Sequence, residues 1–374
     1  MSVVRGLAAS PVRLALRGLV GARTAAWPEA SRLFVIGEDS GWSTDEDAIH
    51  VAAAARRLGY DVAPSSWARF GGRQAVFVTS HFAALLPRWL SSSHRLATAY
   101  LHGRPGTPGS PEFDVAFDTL RRNAGRLARI QVTHAEMHEL VLSAGVGAER
   151  VFRIPIGIDL EHFPLGDSES RAQARHELGL PASAFVAGSF QKDGVGWGEG
   201  LEPKLVKGPD VLLAACARLR DLVPELVVLL TGPARGYVRR ELARRGIPYR
   251  HVLARSRTEL ARAYHALDVY LVASRQEGGP KAVLESMATG TPIVSTRVGQ
   301  ATEIVEDRRN GWLVDVEDAE ALAERAVAVR DGAGEALRAA ARATAEAHAL
   351  ERLDARWGEL VEGFVERRKD FGGR

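Results

Sequence analysis

The sequence predicts an α/β protein with two domains, and three observations indicate this fold class. Short apolar runs of strand length recur along the chain, for example at Leu33–Ile36 and Leu226–Leu230. Glycine-rich turns and segments with the apolar spacing of helices lie between such runs. The length of 374 residues is enough for two domains. Strands that alternate with helices are typical of a sheet covered by helices.

Composition and charge exclude several other classes. Hydrophobic residues make up 46% of the chain and the formal net charge is +3, so we expect neither disorder nor nucleic-acid binding. Cys216 is the only cysteine, which excludes a disulfide within the chain and fits a reducing compartment, the cytoplasm. No apolar run approaches the length of a transmembrane helix.

The N-terminal segment, residues 1–30, is basic and contains no acid before Glu29. Leucines between its arginines make it partly amphipathic, which favours an interfacial helix in peripheral contact with the inner membrane face. Arg13 and Arg17 interrupt any apolar core, so the pattern is not that of a clean signal peptide. A frayed basic tail accounts for the same composition, and both interpretations stay open.

The first domain is expected over residues 31–165. It opens with the strand Leu33–Ile36, a loop and a helix. Asp45-Glu46-Asp47 resembles the D-x-D of metal-dependent transferases, but it falls in the first turn of this helix, where the helix dipole favours acids. We therefore expect no metal there. Further strands are predicted at Ala75–Val78, Ala97–Leu101 and Ile130–Thr133 and from Val151 onward.

Histidines follow two of these strands. His102 comes directly after Ala97–Leu101, and a side chain at the carboxyl end of a parallel strand points toward the ligand crevice of an open sheet. A lone histidine is also compatible with a purely structural role. His134 and His138 have the i, i+4 spacing of zinc ligands, but no third ligand is identifiable, so we expect a helix face there.

The second domain is expected over residues 166–351. Its first strand is followed by a glycine-rich stretch and by Lys207, which stands just outside a helix that Pro209 and Asp210 open. Lysine is rare in this chain, and four of its five lysines fall in or beside candidate ligand loops of this half; chance in codon usage is the alternative explanation. These four are Lys192, Lys204, Lys207 and Lys281.

The stretch 270–296 contains the most informative pattern. An apolar strand gives way to Glu277-Gly278-Gly279, and Pro280 has the fixed φ that suits a first helical position. Helical spacing continues to Gly290, a good C-terminal cap, and a second strand starts at Ile293. The helix thus begins with bare backbone N–H groups behind two glycines, which indicates a site for an anionic ligand.

Two carboxylates frame this site. Glu277 lies in the turn, and Glu285 lies about one and a half turns into the helix. Helical side chains lean back toward the N-terminus, so both are placed to address one elongated ligand from opposite ends. Alternatively, Glu285 is a buried glutamate tied to a backbone amide or an arginine, because an unpaired carboxylate is costly among apolar neighbours. The spacing alone leaves both interpretations open.

The pattern E-G-x-P-x-x-x-L-E-S-M-A-x-G-T-P-I-V resembles the E-x7-E segment of retaining glycosyltransferases of family 4, which have the GT-B fold. The match continues through Gly299, Glu303–Val305 and Asn310–Val314. The resemblance implies two Rossmann-like domains facing a cleft, with the nucleotide sugar bound mainly by the second domain. The last helix of this fold crosses back, so residues 352–374 are expected to join the first domain. An apolar stripe suits that packing: Leu353, Trp357, Leu360, Val361 and Phe364.

The resemblance also implies roles for residues at matching positions. Glu277 faces the donor sugar and His102 contacts it, so these two are the catalytic candidates, and Glu285 binds the ribose hydroxyls. An arginine–lysine pair takes up the charge of the leaving diphosphate, and Lys207 matches its lysine. The backbone of the turn binds sugar and phosphate at Gly278, Gly279, Pro280 and Lys281.

Three positions depart from the family pattern. Lys192 is the candidate for the arginine, but the loop between it and Lys207 is longer than usual, so Lys204 is a substitute. The loop after the first strand usually carries a glycine pair close to donor and acceptor, and here only Gly41 is present. Ile156 replaces the usual asparagine of the strand-to-linker signature, with the loss of a polar turn group.

The implied function is retaining, metal-independent transfer of a hexose from a nucleoside diphosphate sugar of the UDP or GDP type. The acceptor is expected to be a glycan or a lipid-linked molecule in cell-surface polysaccharide biosynthesis. Fixed cations and a helix end stabilise the leaving diphosphate, so no cofactor or metal is expected. Two alternatives stay open: a sugar-nucleotide 2-epimerase of the same fold, and a non-catalytic glycosyltransferase partner subunit.

Overall fold

The computed structural model of the protein describes residues 32–38, 43–63 and 73–366. The basic segment 1–30 and Gly41 therefore lie outside the described residues. The chain divides into two compact units. The first comprises the described residues up to Gly106, then Pro111–Ile154 and the residues from Leu353 onward; the second comprises Thr107–Ser110 and Pro155–Arg352. Within the described ranges, no helix is long and apolar enough to cross a bilayer.

The first unit contains a parallel six-stranded sheet in the order β2-β1-β3-β4-β5-β6. Its strands are β1 (Leu33–Ile36), β2 (Val62–Ala63), β3 (Ala75–Val78), β4 (Arg95–Ala99), β5 (Leu127–Val132) and β6 (Val151–Arg153). The helices between them are α1 (Ser43–Arg57), α2 (His81–Ala84), α3 (Pro87–Leu90), α4 (Pro111–Arg122) and α5 (Ala135–Ser143).

Residues of the strands alternate between two apolar clusters because successive side chains point to opposite faces of a sheet. Phe34 and Val76 pack with α2 to α5 on one face, whereas Leu33 and Phe77 pack with α1 on the other. A parallel sheet that is buried on both faces reads as continuous apolar runs, which is why the sequence revealed these strands.

Strand β4 differs from its predicted range. It begins at Arg95 and ends at Ala99, two residues before the predicted Ala97–Leu101. The reason is pairing: Arg95 lies opposite Ala75 of β3, and Ala99 lies opposite Gln131 of β5. His102 consequently follows the strand end by three residues rather than directly.

The second unit contains another parallel six-stranded sheet, in the order β12-β11-β10-β7-β8-β9. Its strands are β7 (Phe185–Ser189), β8 (Leu226–Thr231), β9 (Tyr249–Val252), β10 (Val269–Val272), β11 (Ile293–Thr296) and β12 (Trp312–Val314). Its helices are α6 (Ser168–Leu178), α7 (Pro209–Leu222), α8 (Gly236–Arg244), α9 (Arg257–His265), α10 (Lys281–Thr289), α11 (Ala301–Ile304), α12 (Ala319–Ala328) and α13 (Gly334–Ala347). The prediction of two α/β domains is confirmed.

Two helices of this unit begin at a residue whose side chain caps the first turn. The Ser256 hydroxyl accepts a hydrogen bond from the backbone N–H of Glu259 and caps α9. The Asp318 carboxylate does the same for α12 by accepting from Ala321 N. Each cap satisfies a backbone donor that the first helical turn leaves without an intrahelical partner.

The last helix, α14 (Asp354–Val361), belongs to the first unit. Arg57 of α1 donates two hydrogen bonds to Asp354, at 2.7 and 2.6 Å. Trp357 packs edge-on against Phe77 of β3, with 5.8 Å between ring centroids. All five residues of the predicted apolar stripe are buried there. The return of the chain to the first domain is thus confirmed.

Candidate nucleotide-sugar site

The turn between β10 and α10 has the predicted form, with one correction. Pro280 is the N-cap of α10, with φ −65° and ψ 102°, and helical geometry begins at Lys281. The extended ψ places Pro280 just outside the helix rather than at its first position. Gly290 ends the helix in the left-handed region at φ 75°, as predicted.

The start of α10 carries no side chain that offsets its dipole. The residues of its first turn include no acid, and the N-cap residue, Pro280, makes no side-chain capping hydrogen bond. By contrast, α7 has Asp210 in its first turn, and Asp167 caps α6. The partial positive charge at the N-terminus of α10 is therefore available to an anionic ligand.

Lys207 forms an ion pair with Glu277, which lies in the turn that leads into this helix. The Lys207 ammonium lies 2.6 Å from Glu277 Oε2, and the Ser274 hydroxyl donates to Glu277 Oε1 at 2.8 Å. Gln191 donates from its side-chain amide to the Lys207 carbonyl at 2.8 Å, and its Oε1 lies 3.1 Å from the Ser274 hydroxyl oxygen. The four side chains come from two loops, after β7 and after β10, because these strands are neighbours in the sheet.

Gly208 sets the position of Lys207. Its φ of 61° is in the left-handed region, and a Cβ there would overlap the carbonyl oxygen of Ala273 at the end of β10. Arg275 then fixes the loop: its guanidinium donates to both oxygens of Asp210, at 2.8 and 2.7 Å, and to the Leu205 carbonyl at 2.8 Å. These contacts hold the start of α7, and Lys207 with it, against the turn after β10.

Glu285 has a phenol as its partner. Tyr264 of α9 donates to Glu285 Oε2 at 2.8 Å, a partner that was not considered from the sequence. Burial, followed by the nearby Glu285 charge, raises the pKa of Tyr264 well above its ordinary value, so the phenol keeps its proton. Nothing in the sequence indicated Tyr264, because it lies on a different helix.

The next turn supports the glycines of the site. Gln300 donates from its backbone N–H to the Gly278 carbonyl at 2.9 Å. Its side chain accepts from Ile156 N at 2.7 Å and donates to Ile156 O at 3.0 Å. Gly299 has φ 51°, and a Cβ there would overlap the carbonyl oxygens of Glu277 and Gly278. The backbone at Ile156 is thus held by Gln300, which sequence reasoning missed.

Lys192 and Lys204 lie on the loop that leads to Lys207. The Lys192 ammonium lies 3.7 Å from the ring centroid of Trp197, and burial lowers the pKa of this lysine. Lys204 is in backbone contact with Lys207, whose N–H donates to the Lys204 carbonyl at 2.8 Å. Their proposed roles in donor binding stay predictions.

His102 belongs to the first unit, beyond the end of β4. Its ring is edge-on to Phe113 at 5.7 Å and to His81 at 5.9 Å. His81 is buried and stacks on Tyr100 with 4.0 Å between centroids. Burial and the nearby His102 lower the pKa of His81 well below its ordinary value, so His81 is neutral at pH 7.

Two patterns that resembled metal sites have other surroundings. Asp45 accepts a hydrogen bond from the backbone N–H of Glu38 at 2.8 Å and stands in the first turn of α1. His134 is the N-cap residue of α5, and its Nδ1 lies 2.9 Å from the Thr133 hydroxyl. Among the residues that the structure describes, no three His, Cys, Asp or Glu side chains are grouped as metal ligands.

Comparisons with known sequences point to one family. The family model described as "Glycosyl transferases group 1" matches residues 198–331. The D-inositol 3-phosphate glycosyltransferase 1 of Catenulispora acidiphila is 33% identical over 304 residues, which cover 73% of this chain and 67% of the relative. The D-inositol 3-phosphate glycosyltransferase of Corynebacterium urealyticum is 33% identical over 252 residues, or 63% of this chain. That match spans just over half of the relative, 56% of its length.

Solved structures share the fold. The Anabaena protein HepE, in complex with UDP and glucose, superposes with a TM-score of 0.72 at 16% identity, covering 89% of this chain and all of that one (100%). The sucrose-phosphate synthase of Thermosynechococcus elongatus superposes with a TM-score of 0.65 at 18% identity, covering 95% of this chain and 94% of that one. The two parallel six-stranded sheets and these matches confirm the expected GT-B fold.

Proposed function

Since this chain belongs to the group 1 glycosyltransferases, we propose that it transfers a hexose from a nucleoside diphosphate sugar with retention of anomeric configuration. The loops after β7 and β10 hold the donor in this proposal. HepE was solved with UDP and with UDP-glucose, which supports a donor of the UDP type.

The observation that carries the proposal is the ion pair of Lys207 with Glu277, a residue of the turn that leads into α10. The diphosphate gains negative charge as the glycosidic bond breaks, and a fixed cation and a helix N-terminus lower the energy of that charge. An ammonium has three N–H donors, so Lys207 can hold Glu277 and a diphosphate oxygen together. In this proposal the backbone of Gly278 and Gly279 lies against the sugar and phosphate, next to Pro280 and Lys281.

The surroundings of Glu277 support retention without a covalent intermediate on this residue. Both of its oxygens are engaged, one by Lys207 and the other by Ser274. A carboxylate neutralised in this way is a weak nucleophile. In this proposal Glu277 and His102 contact the donor sugar, and Glu285 binds the ribose. In this proposal Lys207 stabilises the charge of the leaving diphosphate, as a bound metal ion does in other transferases.

For the acceptor we propose a glycan or lipid-linked molecule of cell-surface polysaccharide assembly, reached at the cytoplasmic face of the membrane. A second candidate acceptor is a phosphorylated cyclitol, because the relatives are named for D-inositol 3-phosphate. Product analysis with each acceptor separates the two. Isomerised sugar formed without acceptor would instead support the epimerase alternative.

The test is the variant Lys207→Met, which keeps an apolar stem of similar length and removes the charge. We expect donor turnover to fall by about 100-fold or more, because a preorganised charge at the leaving group is lost. The measurement is UDP release from UDP-glucose, with GDP-mannose as a second donor.

The matched control is Arg218→Met, which removes a half-exposed cation of α7 that pairs with Glu320 at 2.7 Å. It should keep wild-type turnover. Full activity in Lys207→Met, with circular dichroism showing both variants folded, would contradict the proposal. Absence of any nucleotide binding by the wild type would favour the non-catalytic subunit.

A further inference from the structure

A second buried phenol stands behind the one that bonds Glu285. Tyr264 of α9 and Tyr270 of β10 are both fully buried. The Tyr264 hydroxyl donates to Glu285, whereas the Tyr270 hydroxyl accepts a hydrogen bond from the backbone N–H of Phe190 at 2.8 Å. The proposed function gives Tyr270 no task.

The Tyr270 hydroxyl fixes the start of the loop after β7. This strand ends at Ser189, where its pairing with β8 also ends, so the N–H of Phe190 lies beyond the ladder. The phenol supplies the acceptor that a neighbouring strand would supply inside the sheet. Since a buried N–H without an acceptor is costly, this hydrogen bond holds the backbone of Phe190 against β10.

The two phenols and Phe190 form one aromatic cluster. The Phe190 ring is edge-on to Tyr264 at 4.8 Å and to Tyr270 at 5.2 Å between centroids. The Tyr264 and Tyr270 rings lie 5.1 Å apart. Rings that are packed this closely restrict one another, because interiors have little free space. A displacement of Tyr270 or Phe190 is therefore transmitted to Tyr264.

The hydroxyl groups of the two tyrosines also interact. Burial is the main cause that raises the pKa of each phenol, and the contact with Tyr270 raises the pKa of Tyr264 further. Both hydroxyls thus keep their protons. The one proton of Tyr264 goes to Glu285, so Tyr270 is the donor toward Tyr264. The polar groups follow one another from the Phe190 N–H through two phenols to the carboxylate, and such a series strengthens each of its hydrogen bonds.

This series is joined to the other half of the candidate site. Phe190 is followed by Gln191, whose side-chain amide donates to the Lys207 carbonyl. Tyr270 itself stands on β10, the strand that leads to the turn with Glu277. Tyr270 is therefore connected both to the group proposed for the ribose and to the groups proposed for the sugar and diphosphate.

We propose that Tyr270 is a positioning residue that makes the site select ribonucleoside diphosphates over their deoxy forms. The inference rests on the proposed function, in which Glu285 binds the ribose hydroxyls. A carboxylate rejects a ligand without these hydroxyls only when its oxygens are held where the hydroxyls arrive. Tyr270 holds the phenol of Tyr264, and Tyr264 holds Oε2 of Glu285. Loss of the Tyr270 hydroxyl should therefore weaken recognition of the ribose.

Calorimetric titration of the full chain with UDP and with 2′,3′-dideoxy-UDP tests this inference. We expect the wild type to bind UDP more tightly by about 100-fold or more, because the dideoxy form leaves a buried carboxylate unpaired. Tyr270→Phe removes one hydroxyl and keeps the ring, and it should lower this ratio about tenfold through weaker binding of UDP. The double variant with Tyr264→Phe should lose no more selectivity than Tyr264→Phe alone, because Tyr270 acts through Tyr264.

Thr291→Val is the matched control. Its buried hydroxyl donates at 2.9 Å to the backbone carbonyl of Tyr264 and not to the phenol. This variant loses a buried hydroxyl next to the same residue and should keep the wild-type ratio. Phe190→Leu, which removes the ring packed on both phenols, should lower the ratio as Tyr270→Phe does, and it tests the inference if Tyr270→Phe does not fold.

Three outcomes would overturn the inference. One is a wild-type ratio in Tyr270→Phe, and another is an equal loss in Thr291→Val, which would show a general effect of lost stability. The third is equal binding of UDP and its dideoxy form by the wild type. If the wild type prefers UDP and Tyr270→Phe keeps that preference, only this inference fails. If the wild type does not bind UDP, the proposed function fails.

Discussion

The two glutamates of the candidate site have different partners, and the partners indicate different tasks. Glu277 is paired with the Lys207 ammonium, so its charge is neutralised locally. Glu285 accepts a hydrogen bond from the buried phenol of Tyr264, which keeps its proton and fixes one carboxylate oxygen. A carboxylate held by a neutral donor remains a strong acceptor, which suits the ribose hydroxyls proposed for it.

The variant Tyr264→Phe tests this arrangement at the scale of one hydrogen bond. The ring and its packing against Phe190 and Tyr270, at centroid distances of 4.8 and 5.1 Å, are kept. We expect the KM for the donor to rise about tenfold with a small change in kcat, because Glu285 loses its orientation and a hydrogen bond to a charged group contributes about 1.5–3 kcal/mol. Steady-state kinetics with UDP-glucose as the donor measures both KM and kcat.

Tyr237→Phe serves as the control, since Tyr237 stands on α8 away from Glu285. It should leave both kinetic constants unchanged. An unchanged KM in Tyr264→Phe would show that Glu285 is oriented by other contacts.

At the scale of elements, the site is assembled where two loops meet above neighbouring strands. The loop after β7 contributes Lys207, and the turn after β10 contributes Glu277. They meet because Gly208 lets the first loop pack onto the end of β10 and because Arg275 clamps it to Asp210. A parallel sheet places both loops at its carboxyl edge, which is where open α/β sheets bind ligands.

Replacement of Gly208 by alanine tests this packing. We expect Gly208→Ala to lower the free energy of unfolding by more than the roughly 1–2 kcal/mol of a left-handed alanine, because its Cβ also overlaps the Ala273 carbonyl. UDP binding should fall as well, since Lys207 moves with the loop. Urea denaturation and thermal shift with UDP measure the two effects.

Gly179→Ala provides a matched control. Gly179 has φ 64°, nearly the same as Gly208, but nothing lies within 4 Å of its added Cβ. Gly179→Ala should lower the free energy of unfolding only by the cost of a left-handed alanine, and it should bind UDP like the wild type. Equal effects of both substitutions would mean that close packing at Gly208 does not position the loop.

At the scale of the whole molecule, each unit is a separate layered α/β structure with its own apolar clusters on both faces of its sheet. The first unit is completed by α14, which arrives after the chain has formed the second unit. Its stability therefore depends on residues from both ends of the sequence. It also contains a buried histidine, His81, whose neutral form the fold requires.

This histidine makes unfolding of the protein depend on pH. The pKa of His81 is lowered in the folded state, so near and below pH 6.5 the unfolded chain binds the proton more readily. Stability should therefore fall as the pH drops below about 6.5, by at most about 1.4 kcal/mol per pH unit for this group. We expect His81→Phe, which can still stack on Tyr100, to reduce the fall in Tm between pH 7.5 and 5.5.

The fall should be reduced rather than abolished, because burial also lowers the pKa of His251 in the second unit. His176→Phe, at an exposed position of α6, is the control and should follow the wild type. A wild-type pH dependence retained in full by His81→Phe would show that His81 is not the group responsible.

Much of the fold was predictable, because its causes are local. Strands buried on both faces read as apolar runs, and the turn after β10 and the cap Gly290 are recognisable within a few residues. The predicted bounds were wrong at β4, where pairing with the neighbouring strands decides which residues belong to the strand. The predicted start of α10 was wrong at Pro280, where the ψ angle decides whether the residue is helical. The site assignments themselves stay proposals, although the structure joins two of them, Lys207 and Glu277.

By itself, the sequence determined the α/β class and the family pattern around Glu277 and Glu285, whereas the chemistry of fixed positive groups stays a proposal. Only the tertiary structure decided the partners: Tyr264 for Glu285, Gln300 for Ile156, and Arg235 for Asp193. The physical reason is that periodicity specifies which face of an element is buried but not which strand lies beside it. Side chains that are far apart in the chain meet through the order of the strands: β7 lies beside β8, which brings Asp193 to Arg235, and beside β10, which brings Lys207 to Glu277.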